Sequence, residues 1–269
     1  MKNLIVRAIS GSILVIILVS GILFSPLTSF IVLSVVGFGS LVELGLLMRR
    51  SGTNILYPYM LATGIVVLAI QAVGIFTMQP LSLLYKSFLV FIMLFIVRSF
   101  IELYRKQDRP FKSIAYEMFA LFYTLMPIVL LNFIEDRYYV LLLFLIVWTN
   151  DIGAYVFGSM FGKHRLFERI SPKKSWEGFF GGVIAATVLS TLVGHFWFRE
   201  PYLFWLAIGV VTSLAGVAGD LFESLFKRSI QVKDSGKAIP GHGGFLDRFD
   251  AMLFAAPVFY IMLYICGLV

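Results

Sequence analysis

Residues 138–158 have the sequence YYVLLLFLIVWTNDIGAYVFG. The stretch is about as long as the roughly 20 apolar residues that cross the hydrocarbon core of a bilayer as a helix. Asn150, Asp151 and Tyr155 interrupt it near its end, and Asp151 and Tyr155, four residues apart, share a helix face. An ionisable group inside a membrane helix is costly, so the stretch predicts a membrane helix in which Asp151 has a functional role.

Eight further apolar stretches of similar length flank this one. They lie near residues 8–24, 29–48, 56–75, 81–100, 115–134, 178–198, 202–226 and 250–269. Spans of about 20 residues then occupy roughly 180 positions and leave about 90 for all loops and termini. The chain has 59% hydrophobic and 14% charged residues, against about 25% charged in a soluble domain. The sequence therefore predicts an all-α polytopic membrane protein with about nine transmembrane helices.

The positive charges are segregated among the loops. The N-terminus and the loops after every second span hold most of the Lys and Arg residues, whereas the opposite loops hold only Arg137 and Arg199. The positive-inside rule then predicts a cytoplasmic N-terminus and, with an odd number of spans, a C-terminus on the far side. The net charge of +7 is explained by this topology and by a surface for anionic lipid or nucleotide phosphate, and no nucleic-acid partner is predicted.

Two features near the chain ends limit the protein class. The first stretch follows Lys2 and Arg7 and could alone be a signal peptide, but no small-residue cleavage pattern follows it, so we interpret it as a retained helix. Cys266 is the single cysteine, which excludes an intramolecular disulfide or a metal-binding cysteine cluster.

Chemical content divides the chain into two parts. Residues 1–110 have the composition of generic membrane helices, whereas residues 111–269 combine helices with polar loops that we predict to carry the catalytic site. Glu43 is the exception in the first part, because an ionisable group at membrane depth faces a cavity or a partner. Pairing with Arg49 or Arg50 explains Glu43 as well as a functional role does.

Charged residues end the eighth span. Asp220 is followed three, four, seven and eight positions later by Glu223, Ser224, Lys227 and Arg228, and all five fall on one helical face. Two carboxylates before two cations suit a divalent metal held near phosphate oxygens. A salt-bridge ladder, with Glu223 and Lys227 in the favourable i, i+4 order, explains the pattern equally well.

The loop that follows is rich in glycine. It contains Lys233, Asp234, Gly236, Pro240, Gly241, His242, Gly243 and Gly244, and it leads into Asp247, Arg248 and Asp250 at the start of the last span. Glycines let backbone amides approach an anion, and the N-terminus of the next helix adds its dipole. Asp247 and Asp250 could simply stabilise that N-terminus, but the surrounding residues favour metal ligation.

The loop between spans 6 and 7 is the second polar loop. It has the sequence GKHRLFERISPKKSWEG, from Gly162 to Gly178. By parity it lies on the same side of the membrane as the glycine-rich loop, so the two loops could share a site. A Walker A loop is excluded, because Phe157 stands where its glycine is required and His164 follows Lys163. The sequence contains no HExxH and no paired CxxC.

Residues 224–250 resemble the signature of the phosphatidate cytidylyltransferases, the CDP-diacylglycerol synthases of membrane lipid synthesis. That signature is Ser, any residue, an aliphatic residue or Phe, Lys-Arg, four residues, Lys-Asp, and later His-Gly-Gly, an apolar residue, any residue, Asp-Arg, an apolar residue and Asp. The chain matches it without departure through Ser224, Lys227, Arg228, Lys233, Asp234, Gly236, Ile239, Pro240, His242, Gly243, Gly244, Phe245, Asp247, Arg248 and Asp250. Residues 150–158 and 171–178 are similar to further stretches of that family.

The resemblance implies transfer of a cytidylyl group from CTP to phosphatidic acid, which gives CDP-diacylglycerol and pyrophosphate and requires Mg²⁺. It assigns one or two divalent cations to Asp220 and Asp247, with Glu223 and Asp250 as further ligands. The implied catalytic residues are Asp220, Asp247, Lys227, Arg228, Lys233, Arg248 and His242. The implied substrate-binding residues are Lys173, Lys174, Ser224, Gly243, Gly244 and Asp151. His242 could instead structure the turn.

Three other protein classes are alternatives to a cytidylyltransferase. A polyprenol kinase would use CTP but transfer its terminal phosphoryl group, and an ion-coupled transporter would also place carboxylates in several helices. A CDP-alcohol phosphotransferase would carry a DGxxAR and GxxxDxxxD pattern, which this sequence does not contain. The topology is compatible with a bacterial inner membrane and a cytoplasmic active site. Glycine-rich faces such as Gly178, Gly181 and Gly182 could pack within a protomer or in a homodimer.

Overall fold

The structure is a computed structural model that describes residues 2–77, 80–232, 235–236 and 243–269. Within the helices, it does not describe the side chains of residues 2–8, 76–77 and 80–85. The helices are α1 (Lys2–Phe24), α2 (Pro26–Arg50), α3 (Tyr57–Thr77), α4 (Pro80–Tyr104), α5 (Pro110–Leu131), α6 (Arg137–Phe161), α7 (Trp176–Phe196), α8 (Tyr202–Ser229) and α9 (Leu246–Ile265).

These helices coincide with the predicted spans. Eight of them are long and apolar enough to cross a membrane, and the described side chains of α1 add a shorter apolar helix over Ile9–Phe24. The predicted all-α polytopic membrane fold is confirmed. Its orientation across the bilayer stays a prediction.

Short polar side chains fix where several helices begin. Ser25 accepts a hydrogen bond from the backbone N–H of Thr28, whose hydroxyl accepts one from the N–H of Ser25, a capping box that starts α2 at Pro26. Asp136 accepts from the N–H of Tyr138 at the start of α6. These caps satisfy N–H groups that have no partner inside their helix.

The loop between α6 and α7 contains regular structure that the sequence did not predict. Strands β1 (Arg165–Phe167) and β2 (Ser171–Ser175) form a two-stranded antiparallel sheet, in which Arg165 faces Ser175 and Phe167 faces Ser171. The strands are too short and too cationic to show an alternating apolar pattern. Ser175 then caps α7 by accepting from the N–H of Gly178 at 3.2 Å.

The described residues divide into two compact units. The first comprises residues 1–133 and 234–248, and the second comprises residues 134–233 and 249–269. The division at residue 110 in the sequence was drawn from chemical content, whereas the units reflect packing, which places α5 with α1–α4.

The first unit contains a buried cluster of charges. Arg98 in α4 is fully buried and forms ion pairs with Glu102 at 2.6 Å and with Glu117 of α5. Glu117 also accepts from Ser113 at 3.3 Å and from the backbone N–H of Leu56. The cluster therefore fastens α4 and α5 to the segment that precedes α3.

We expect Arg98→Met to lower the free energy of unfolding by about 3–5 kcal/mol, because it leaves Glu117 buried without its cation. Lys86→Met is the matched control, since Lys86 lies in the same helix but is exposed, and we expect a change within about 0.5 kcal/mol. Thermal unfolding of both variants in detergent measures the difference. Equal shifts would contradict a stabilising role for the cluster.

The second unit is held together by a seam of small residues. Gly178, Gly181 and Gly182 of α7 are buried against α6. A Cβ at Gly182 would come within 2.6 Å of the backbone oxygen of Asn150, and one at Gly178 within 2.6 Å of that of Ala154. Close helix packing within the protomer is therefore the role of these glycines. The predicted homodimer was inferred from the same three glycines, so their packing within the protomer removes the support for it.

We expect Gly182→Ala to lower the free energy of unfolding by about 1–3 kcal/mol, because the added methyl group meets rigid backbone. Gly216→Ala is the matched control in α8, since its Cβ would have no neighbour closer than 3.9 Å. There the better helix propensity of Ala leaves stability unchanged or slightly raised. Thermal unfolding of the two variants tests the contrast, which two equal losses would contradict.

Candidate active site

The second unit contains a cavity of about 440 Å³, within the roughly 300–1,000 Å³ typical of small-molecule sites. Its walls come from three helices and the hairpin: Asn150, Asp151, Ala154, Tyr155, Gly158, Ser159, Leu166, Lys173, Lys174, Ser175, Gly178, Phe179, Val217 and Asp220. Four charged residues that the sequence singled out therefore meet around one space. Gly178 of the glycine seam and Gly158 of α6 both line this cavity.

The central charged contact joins Lys174 and Asp220. The ammonium of Lys174, in β2, lies 2.5 Å from Oδ2 of Asp220, in α8. Both side chains are about one-third exposed. Lys173 is exposed at the cavity wall, and the Ser224 hydroxyl donates to Oδ1 of Asp220 at 3.4 Å. The cavity thus presents cations beside a carboxylate that water can reach.

A second group of charges lies along α8 and the start of α9. Glu223 is buried and forms an ion pair with Lys227, so the predicted salt-bridge pairing is present. Asp250 is also buried and lies within electrostatic range of Asp220, Glu223 and Lys227. Three carboxylates thus lie near one another in this unit, and lysines pair with two of them.

The donor atoms in this cluster fit Mg²⁺ that arrives with a phosphorylated ligand. Carboxylate oxygens are ligands that Mg²⁺ prefers, and it commonly binds through one or two of them together with substrate phosphates. Within the described ranges no three His, Cys, Asp or Glu side chains converge in a preformed metal site. Asp220 and Glu223 are instead neutralised by lysine ammonium groups.

The described part of the glycine-rich loop lies in the first unit. Asp247 accepts hydrogen bonds from the backbone N–H of Ser235 at 3.0 Å and from that of Gly244 at 3.2 Å. The Gly244 amide predicted to contact phosphate thus donates to a side chain in the first turn of α9. Gly243 has φ +88°, a conformation that favours glycine. Asp247 therefore has the structural role that the sequence left open, and metal ligation by it stays a prediction.

Four predicted site residues lie outside the described part of the chain or at its surface. Lys233 and His242 lie outside the described residues, and Arg228 and Arg248 are exposed. The loop segment and the cavity belong to different units, so a site shared by the two polar loops stays a prediction.

Sequence reasoning gave no role to Asn150. Its side chain is buried in the seam, where Oδ1 would lie 3.0 Å from a Cβ at Gly182. Among the described residues, this Oδ1 atom has no hydrogen-bond partner. A polar residue inside a membrane span is the signal that flagged it.

The fold and the cavity define a polytopic membrane protein whose polar site suits a phosphorylated ligand. The chain belongs to the Cytidylyltransferase family, whose model matches residues 5–266. This membership agrees with the family resemblance read from residues 224–250.

Bacterial relatives carry a more specific name. The chain is 48% identical over 131 residues to the phosphatidate cytidylyltransferase of Staphylococcus epidermidis. It is 47% identical over 131 residues to that of Staphylococcus aureus and 46% identical over 130 residues to that of Staphylococcus saprophyticus. Each match covers 48% of this chain and 50% of the relative, so the chain spans about half the length of the curated relatives it matches.

Proposed function

We propose that the protein transfers a cytidylyl group from CTP to phosphatidic acid and forms CDP-diacylglycerol and pyrophosphate. Three observations support the proposal: the family, the name of the bacterial relatives and the charged cavity. The single observation that carries it is the pairing of Lys174 with Asp220 beside Lys173 at that cavity. Such a site holds phosphate oxygens by its cations and a divalent ion by its carboxylate.

In the proposed reaction an oxygen of the lipid phosphate attacks the α-phosphorus of CTP. A new phosphorus–oxygen bond forms, the bond to the oxygen that bridges the α- and β-phosphates breaks, and pyrophosphate leaves in line. A phosphate dianion is already a nucleophile, so the chain needs no general base. The main tasks of the protein are to bring two anions together and to neutralise the leaving group.

The lysines of β2 perform the first task. Lys173 is exposed at the cavity and attracts the phosphates, while Lys174 can exchange its contact with Asp220 for a phosphate oxygen. The acyl chains of the lipid can stay in the bilayer while the head group enters between helices. Lys227, Arg228, Lys233 and Arg248 are proposed as further phosphate contacts, and His242 as a phosphate contact or proton donor.

Divalent cations belong to the same proposal. Asp220 would hold Mg²⁺, in one or two sites, with Glu223 and Asp250 as the further predicted ligands. The family resemblance assigns the same role to Asp247. The bound ion would supply positive charge that neutralises the charge developing on the leaving group. Asp220 is the best placed of these carboxylates to meet a nucleotide, since it lines the cavity and is partly exposed.

The proposed location is a bacterial cell membrane, with the site on the cytoplasmic face. The membrane-spanning fold and the bacterial relatives support the first part. The second part rests on the positive-inside rule, because the cavity-lining lysines follow α6 in a cationic loop.

The test is pyrophosphate release by the purified protein in mixed micelles with CTP and Mg²⁺, with and without phosphatidic acid. We expect release that requires both the lipid and the metal and that yields a CDP-lipid. Formation of CDP with a polyprenol acceptor would instead indicate the kinase. Substrate uptake into proteoliposomes without nucleotide turnover would indicate a transporter, and either result would overturn the proposal.

A further inference from the structure

Glu43 in α2 is buried, 7% exposed, and has partners that the sequence did not predict. Its Oε2 accepts a hydrogen bond from the Ser235 hydroxyl at 3.1 Å and one from the backbone N–H of Leu246 at 3.0 Å. Arg49, one of the two neighbouring arginines weighed as its partner, lies over the ring of Tyr57 instead. A carboxylate in the second span thus contacts the glycine-rich loop about 200 residues later in the chain.

The loop is shaped to accept this carboxylate. A Cβ at Gly236 would lie 2.4 Å from Oε1 of Glu43, and one at Gly244 would lie 2.3 Å from its Oε2. Side chains at either position would displace Glu43. The contact therefore explains two glycines that the sequence attributed only to phosphate binding.

Ser235 connects Glu43 to Asp247. The Ser235 hydroxyl donates to Glu43, and its backbone N–H donates to Oδ2 of Asp247 at 3.0 Å. Glu43 also binds the N–H of Leu246, the residue directly before Asp247 and the first residue of α9. A carboxylate at a helix N-terminus interacts favourably with the helix dipole. It also accepts a hydrogen bond from an N–H that lacks an intrahelical partner. Glu43 thus restrains Asp247 from both sides.

We propose that Glu43 is a positioning residue that holds Asp247 in the orientation needed for turnover. This inference rests on the proposed function and on the predicted role of Asp247. Glu43 contacts neither substrate nor metal in this scheme and acts only through Ser235 and the first turn of α9.

Ser235→Ala is the primary test, because it removes the link to Glu43 and leaves the backbone contact with Asp247 in place. We expect kcat to fall about tenfold and the Mg²⁺ concentration for half-maximal activity to rise severalfold, with the KM for CTP changed less than about twofold. Ser40→Ala is the matched control, since this buried hydroxyl of α2 donates to the backbone oxygen of Val36 at 2.8 Å. It should leave kcat and the Mg²⁺ response unchanged.

Glu43→Gln and the Ser235→Ala/Glu43→Gln double variant complete the cycle. Both changes break the same chain of contacts. The double variant should therefore be as active as the less active of the two single variants. Losses that multiply, or folded variants with a normal Mg²⁺ response, would overturn the proposal. So would losses that simply follow lower thermal stability.

Hydrogen exchange separates this inference from the proposed function. The amide of Leu246 should exchange faster in Glu43→Gln than in the wild type, whatever reaction the protein catalyses. If the wild type does not form a CDP-lipid but the amide responds, the proposed function fails while the restraint stands. Unchanged exchange at Leu246 would show that Glu43 does not restrain α9.

Discussion

Asp220→Asn is expected to lower kcat by roughly 10²- to 10³-fold, the size of effect found when a group that stabilises charge in the transition state is removed. The substitution keeps the shape of the side chain and removes the negative charge that would hold Mg²⁺ beside the phosphates. Asp220 lines the cavity, and its ion pair with Lys174 is partly exposed.

The stability of the Asp220→Asn variant should change little, in contrast to its activity. Ion pairs that water reaches contribute about 0–1 kcal/mol, so Asp220→Asn should keep nearly the melting temperature of the wild type. Glu168→Gln is the matched control, because it also replaces a carboxylate by an amide. Glu168 is exposed at the turn between β1 and β2. Pyrophosphate release at saturating CTP, together with thermal unfolding, measures both effects. A folded Asp220→Asn protein with near-normal turnover would refute the assignment of Asp220.

Lys174→Met is expected to raise the KM for CTP by about 10- to 100-fold. A hydrogen bond to a charged group contributes about 1.5–3 kcal/mol, and each 1.36 kcal/mol corresponds to a factor of ten. The same variant should bind Mn²⁺, as a probe for Mg²⁺, more tightly in the absence of nucleotide, because Asp220 loses the ammonium that neutralises it.

These opposite changes distinguish a phosphate-binding lysine from one that serves only stability. Lys163→Met is the control, because Lys163 is exposed in the same loop and does not line the cavity. Steady-state kinetics and Mn²⁺ titration provide the two measurements. An unchanged KM, or Mn²⁺ affinity that falls with CTP affinity, would contradict the exchange of partners by Lys174.

The helices were predictable because membrane spans are decided by long local runs of apolar residues. The first and last residues of the helices were less predictable. The apolar stretch starts near residue 250, whereas helix α9 begins at Leu246, whose N–H donates to Glu43. A hydropathy window detects neither that contact nor a polar first turn.

The chemistry of the site and the local pairing of Glu223 with Lys227 were visible in the sequence, whereas its long-range contacts were not. The spacing from Asp220 to Lys227 placed both on one helical face, but no periodicity relates Lys174 to Asp220, which meet only after β2 and α8 pack. Glu43 and Ser235 are 192 residues apart and share no local pattern. Such pairs depend on tertiary packing alone.

Arg98 was missed although its signal was present. It lies within the fourth predicted span, where an ionisable residue calls for a partner. A count of cations loop by loop does not include one that lies inside a helix. Its partner Glu117 lies in the fifth predicted span, and no local spacing relates the two residues.

The buried ion pair of Arg98 and Glu117 also has a consequence for membrane insertion during synthesis. An arginine near the centre of a lone segment costs about 2.5–3.5 kcal/mol to transfer from the translocon into lipid. Glu102 can offset part of that cost within α4, but Glu117 becomes available only when α5 has left the ribosome. We therefore expect helices α4 and α5 to enter the bilayer together as one hairpin rather than one after the other.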